Sequence, residues 1–210
     1  MRQTFLTLTL ALALVLSLSA LAAAEDWRLE GAVGLNYGEA GARDENINGT
    51  EVDGSIGTGN GFTGAVNLWK DRMFADWFSL GAAYSFRSNK MNYHTTGSGG
   101  TSQRMNTDIM MNDFQIKAAA RKNDGDIHPY IGAGLGFSYM NGKISVDGGS
   151  QERGETFAPT LSAFVGYDYD INETYYTGLD VAYTYSTGEV VGIQVYHNTL
   201  GAMFKLGMKF

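Results

Sequence analysis

The stretch Trp27-Arg28-Leu29-Glu30-Gly31-Ala32-Val33-Gly34-Leu35-Asn36-Tyr37 puts an apolar residue or glycine at every odd position and a polar or small one at every even position. A period of two is the geometry of a β-strand, because successive side chains point to opposite faces of the sheet. The alternation recurs seven more times, at 62–68, 78–86, 110–118, 131–139, 161–169, 175–185 and 200–210. No linker interrupts the series, so the chain reads as one all-β domain of eight strands.

The segment before it has a different character. Arg2 is followed by a run of Leu, Ala, Val, Thr and Ser from 5 to 18, and Ala22-Ala23-Ala24 supplies small residues ahead of Glu25. That is the pattern of a cleaved secretory signal peptide over 1–24, leaving 25–210 as the mature domain. No later segment approaches the roughly 20 consecutive apolar residues of a spanning helix. Composition narrows the chemistry further. There is no Cys among the 210 residues, which excludes a disulfide scaffold, a thiolate zinc site, a cysteine nucleophile and a lipid anchor on Cys. Acidic residues outnumber basic ones by 22 to 15, which argues against a nucleic-acid partner. Only 18% of residues are charged, below the roughly 25% of soluble domains, while Gly (28), Tyr (12) and Phe (11) are abundant.

The connections alternate in length. Those at 70–72 onward, 122–126 and 170–173 are short and rich in Asn, Asp and Gly, as tight reversals require. Those at 38–60, 88–107, 140–156 and 186–196 are expected to be long loops. Pro129 and Pro159 are expected at strand starts, where a missing donor is tolerated. Periodicity leaves open which face points outward: a soluble barrel would put the apolar face inside, a membrane barrel outside. The polar face is dominated by small residues (Gly34, Ala65, Gly81, Gly132, Gly134, Gly166, Gly207), which suits the tight lumen of an eight-stranded barrel better than a water-facing surface. Aromatics collect at both ends of the apolar face, Trp27, Trp77, Tyr167, Tyr169 and Tyr175 at one, Tyr37, Phe62, Tyr84, Tyr139 and Tyr183 at the other. Two such girdles match the two interfaces of a bilayer. The expectation is an eight-stranded antiparallel up-and-down transmembrane β-barrel, with turns periplasmic and loops outside.

The closing segment carries a resemblance. In Leu200-Gly201-Ala202-Met203-Phe204-Lys205-Leu206-Gly207-Met208-Lys209-Phe210, the alternate residues Phe204, Leu206, Met208 and Phe210 resemble the C-terminal signal of bacterial outer membrane proteins that the barrel-assembly machinery reads. The segments 128–136 (HPYIGAGLG) and 166–173 (GYDYDINE) look like those of small barrels, the opacity-type surface proteins and the transmembrane domain of outer membrane protein A. The resemblance implies a monomer in the outer membrane of a Gram-negative-type cell, surrounded by lipid and lipopolysaccharide and inserted by the assembly machinery. It carries no catalytic motif and no cofactor.

Three candidate sites stand out. By parity the lumen receives Arg28, Glu30, Arg87, Asp113, Lys117, Arg121, Asp168, Asp180, Lys205 and Lys209. Isolated charges there would be costly, so they are expected either to pair into a plug or to line a small, weakly anion-preferring pore. In the first loop, Asp44-Glu45-Asn46-Ile47-Asn48-Gly49 matches the opening of a calcium loop with Asp44, Asn46 and Asn48 as ligands. Ser55 stands where the bidentate Glu belongs, although Glu51 or Asp53 could substitute; otherwise the segment is a solvated acidic loop. Finally, His197-Asn198-Thr199 sets a base two residues from a hydroxyl, in the manner of barrels that modify lipid A. No orienting carboxylate accompanies it, and His94 and His128 fall in a loop and a turn. The leading expectation is a non-enzymatic role, in which surface loops bind an extracellular ligand or support envelope integrity.

Overall fold

In the computed structural model, residues 26–42, 45–47, 50–52, 57–96, 102–146, 151–190 and 193–210 are described. The expected signal peptide at 1–24 lies outside them. Alternation produces eight long strands: β1 (Trp27–Ala42), β4 (Gly57–Lys70), β5 (Phe78–Thr96), β6 (Ser102–Arg121), β7 (Ile127–Val146), β8 (Gln151–Asp170), β9 (Tyr175–Val190) and β10 (Ile193–Lys209). A short hairpin of β2 (Glu45–Ile47) and β3 (Thr50–Val52) stands between β1 and β4. The eight long strands pair antiparallel in the order β1-β10-β9-β8-β7-β6-β5-β4, and β1 also pairs with β4, closing the sheet. Closure satisfies the backbone of both outer strands, as an apolar solvent demands.

The faces are now assigned. Leu35, Ile131, Leu135, Leu161 and Leu206 are each more than half exposed on the outer wall, whereas Arg28, Glu30, Asp113, Asp168 and Lys205 are buried inside. So large a continuous apolar surface has no place in water but is what a bilayer requires. Among the described residues no helix is long and apolar enough to cross a membrane, so the strands do the crossing.

Three tight turns join the strands at the end that carries Trp77, Tyr169 and Tyr175. Gly125 adopts φ 81° in the 122–126 turn, a left-handed conformation that glycine accepts without a steric penalty. The side chain of Asn172 accepts hydrogen bonds from the backbone amides of Thr174 (2.9 Å) and Tyr175 (2.8 Å), closing the β8–β9 turn.

Two expectations are corrected. The segments expected to be long loops are largely strand. β5 runs to Thr96 and β6 begins at Ser102, β7 and β8 leave only 147–150 between them, and β9 and β10 leave only 191–192. Hydrogen-bonded pairing continues past the apolar belt because a ladder needs no apolar face once both sides are wet. Pro159, expected at a strand start, lies deep in β8 opposite Phe137. Its place explains a break in the wall: the β8–β9 ladder extends only to Thr160↔Ser186, although β8 continues back to Gln151 and β9 on to Val190. Above that point β8 pairs only with β7, and β9 only with β10.

Candidate functional site in the barrel bore

The inward face of each strand contributes one side chain every second residue, and together these fill the bore in layers. The layer nearest the tight turns is ionic. Glu30 on β1 accepts hydrogen bonds from Asn67 Nδ2 (2.8 Å), Trp69 Nε1 (3.1 Å), the Tyr176 hydroxyl (3.0 Å) and Lys205 Nζ (3.2 Å). Asp168 on β8 takes ion pairs from Arg28 (3.0 Å), Lys205 (2.7 Å) and Arg121. Arg28 also grips Asp71 through Nε and Nη2, and the Ser79 hydroxyl donates to the same carboxylate. Three cations (Arg28, Arg121, Lys205) therefore face three anions (Glu30, Asp71, Asp168) in a charge-balanced cluster, which on the tight-turn side borders an open cavity of about 240 Å³ lined in part by Arg28, Asp71, Arg121 and Asp168. Lys205 and Arg121 each also lie 4.4 Å from the centroid of the Tyr130 ring.

The middle layer is looser. Lys117 donates to Asn67 Oδ1 (3.2 Å) and lies over the Phe164 ring at 5.1 Å. Asp180 is buried, and its Oδ1 has no hydrogen-bond partner among the described residues. A void of about 30 Å³ lies here, lined in part by Gln115, Lys117, Ser162 and Thr184.

Above it Arg87 holds Asp113 through two nitrogens, at 2.7 and 2.8 Å, and donates to Thr199 Oγ1 at 2.8 Å. Thr160 and Ser186 are joined at 2.8 Å beside this pair. The bore is then capped by an apolar layer of Ala40, Met91, Ile109, Met111, Met140 and Ala158, each almost wholly buried.

The lumen glycines have a specific use. Trp69 lies across Gly81, Tyr130 across Gly166, Phe164 across Gly132 and Tyr176 across Gly207, each ring meeting its register partner on the adjacent strand. A Cβ at any of these glycines would collide with the ring. Large rings thus fit a narrow bore because the facing residue has no side chain.

The structure brings together most of the lumen charges picked out by parity, with one relocation and one addition. Lys209 is not in the bore. It pairs with Asp170 at the tight-turn rim, where His128 Nε2 also meets Asp170 at 2.9 Å, because its position at the end of β10 carries it past the plug. Asp71, assigned to a turn by its surroundings, folds back into the ionic layer. The four lumen aromatics and the methionine cap went unrecognised in the sequence, where an apolar residue on a polar face reads as an irregularity. The signal that could have found the rings is a glycine in register with each of them.

The remaining candidates fare differently. His197 and Thr199 both point into the bore and are fully buried, with Nδ1 and Oγ1 3.0 Å apart. The pair therefore faces away from the outer leaflet, and the hydroxyl is already engaged by Arg87. In the calcium-loop candidate, Asp44 and Asn48 lie outside the described residues, and Asn46 is described only as a backbone position of β2. Among the described residues no cluster of three or more His, Cys, Asp or Glu is arranged to hold a metal.

A closed antiparallel barrel with an apolar outer wall and a polar, filled interior defines an integral outer membrane barrel protein. The chain belongs to the outer membrane protein beta-barrel domain family, whose model matches residues 8–206. Among solved structures it is similar to Neisserial surface protein A, at 16% identity and TM-score 0.55, covering 89% of this chain and 98% of that one. It is also similar to the outer membrane protease OmpT from Escherichia coli, at 9% identity and TM-score 0.50, covering 88% and 96%. OprG from Pseudomonas aeruginosa matches at 15% identity and TM-score 0.49, covering 86% and 95%. No curated protein matches this chain. The protein is thus an outer membrane barrel of a fold that hosts both surface proteins and an enzyme.

Proposed function

We propose that this protein is a non-enzymatic barrel that works at the cell surface, presenting the extracellular ends of its strands and the segments between them to an external partner. The observation that carries this reading is the closed bore. An ionic layer, the Arg87–Asp113 pair and the methionine cap succeed one another along it, and the cavity of about 240 Å³ at the tight-turn end is separate from the void of about 30 Å³ in mid-bore. Burial of His197 and Thr199 removes the one nucleophile-like pair from reach of lipid. What remains accessible is the outside, where strands rise beyond the apolar belt and display polar side chains.

The test is retention of a non-adherent host strain expressing the protein on plates coated with extracellular-matrix protein. Retention above an empty-vector strain, abolished when 43–56 and 97–101 are replaced by Gly-Ser turns, supports the reading. Retention no different from the empty vector overturns it.

A small pore is the second reading. It is favoured by the mid-bore void and by Asp180, whose Oδ1 is unpartnered beside Lys117. Planar-bilayer recording of the purified protein separates the two, since a closed plug gives no discrete conductance steps.

A further inference from the structure

The apolar cap of the bore contains more ligand chemistry than its burial suggests. Met91 on β5, Met111 on β6 and Met140 on β7 belong to one packed cluster, and each is at most 1% exposed. Two of them reach across the bore to the strands on either side of β10. A Cβ built on Gly188 of β9 would lie 3.0 Å from Met140 Cε, and one built on Gly38 of β1 would lie 2.9 Å from Met91 Cε. Gly188 is the register partner of Val195 on β10, and Gly38 that of Thr199, so the two thioether ends flank the inward position between them. That position is His197. Its own register partners are Ser186 and Ala40, and Ala40 is a member of the methionine cluster.

His197 is fully buried, and only one of its ring nitrogens is satisfied. Nδ1 lies 3.0 Å from Thr199 Oγ1, whereas Nε2 has no hydrogen-bond partner among the described residues. A buried polar atom rarely goes unpaired, so this one calls for a partner of another kind. The tautomer with its proton on Nδ1 donates to Thr199 and leaves a bare lone pair on Nε2. A metal-ligating histidine is prepared in the same way, with the other ring N–H held by a hydrogen bond.

We propose that Met91, Met111, Met140 and His197 form a binding site for a soft monovalent metal ion, Cu(I), in the cap of the barrel. The ligand set selects the ion. Thioether sulfur is soft and uncharged and suits Cu(I), whereas calcium and magnesium take oxygen ligands and zinc takes thiolate, imidazole or carboxylate. Asp113, the acid of the layer below, has both its oxygens held by Arg87. That pair is neutral as a whole, so the full charge of the ion is borne by the cap, which favours a monovalent over a divalent one. Methionine has three rotatable side-chain bonds, and turning the thioethers admits the ion from the loop end. The site stands independently of whatever the surface segments contact.

Competition for Cu(I) between the full-length barrel, refolded in detergent, and the chromophoric chelator bicinchoninate under anaerobic, reducing conditions tests the site. The protein should withdraw a single equivalent of Cu(I), and X-ray absorption of the bound copper should show sulfur neighbours with one nitrogen. Met91→Leu, Met111→Leu and Met140→Leu keep side-chain volume, and each should weaken binding by about tenfold. His197→Phe should remove the nitrogen from the spectrum. Met203→Leu, buried lower in the bore, leaves binding unchanged, and the exposed Met73 and Met110 remain in every variant, so copper held there does not follow the series. The heat-modifiable gel band reports folding, and the single variants carry the test should the combined one fail to fold. No Cu(I) withdrawn by the wild type, or unchanged affinity across the substitutions, overturns the site. Zn(II) bound as tightly as Cu(I) overturns the soft ion as its ligand, and a copper spectrum without nitrogen overturns the role of His197.

Discussion

The ring of Tyr176 on β9 lies across Gly207 on β10 and reaches the Glu30 carboxylate of β1 beyond it, its hydroxyl 3.0 Å from Oε2. One glycine thereby lets a single side chain tie three consecutive strands of the wall. A Gly207→Val substitution would drive the ring off its partner strand and break that hydrogen bond. Overpacking of this kind costs about 1–3 kcal/mol, and the lost bond about 1 kcal/mol more. Urea unfolding in lipid vesicles, followed by tryptophan fluorescence, should show a midpoint lowered accordingly; an unchanged midpoint would refute the role given to Gly207.

Arg87 and Asp113 are both buried, and each satisfies the other through two hydrogen bonds. Removing one partner strands the other charge, so Asp113→Ala should destabilise the barrel by about 3–5 kcal/mol. Replacing both, as Arg87→Met with Asp113→Leu, should recover most of that loss, because the buried charge disappears with its partner. A double-mutant cycle measured by equilibrium unfolding decides, and additive single-residue losses would show the pair to be uncoupled.

Asp71 links the β4–β5 turn to the plug. Burial works to raise its carboxyl, but the Arg28 charge and the hydrogen bonds from Arg28 and Ser79 prevail and hold it below the ordinary value of 3.8. A group depressed on folding adds stability that is complete above its unfolded pKa and fades as pH falls through the folded one. Wild-type protein should therefore lose stability as pH drops below about 4, and Asp71→Asn should be less stable at neutral pH with a flatter acid limb. Parallel acid limbs for the two proteins would exclude Asp71 as a contributor.

The missing ladder above Thr160 and Ser186 predicts a gradient of amide protection within one strand. Residues 160–170 of β8 are flanked by hydrogen-bonded strands on both sides, while 151–158 are paired only to β7. Hydrogen exchange read by mass spectrometry should show the upper part of β8 exchanging faster than the lower. Installing Pro159→Val, which restores a donor, should slow exchange across the neighbouring positions. Uniform protection along β8 would contradict the break.

Much of this architecture was legible in the alternation. Parity placed Val33, Leu35 and Leu206 on lipid and Glu30 and Lys205 inside, since the side-chain period of a strand admits only two faces. Strand adjacency in a closed sheet puts Glu30 or Asp180 within reach of Lys205 or Lys209 without choosing among them; the structure pairs Glu30 with Lys205. What escaped notice depends on shape and end effects, which a one-dimensional pattern does not encode. Trp69, Tyr130, Phe164 and Tyr176 make sense only against a glycine on another strand. Asp71 and Lys209 exchange roles because a backbone leaving the wall re-aims its side chains. The strands outrun their apolar pattern because pairing beyond the bilayer is set by neighbouring chain, not by hydropathy.

The Glu30–Lys205 bond joins positions 175 apart in the chain, and it crosses the seam between β1 and β10. Every other ladder of the barrel joins strands that follow one another along the chain or flank the small β2–β3 hairpin. Closing the wall therefore carries the largest loop entropy in the molecule, and it yields no bonds until the whole sheet is in place. Until that moment β1 and β10 expose the unpaired edges that a lipid interior does not tolerate. The plug thus has a temporal aspect as well as a spatial one: its central ion pair needs β1 and β10 side by side, and so acts as the latch of the closed barrel.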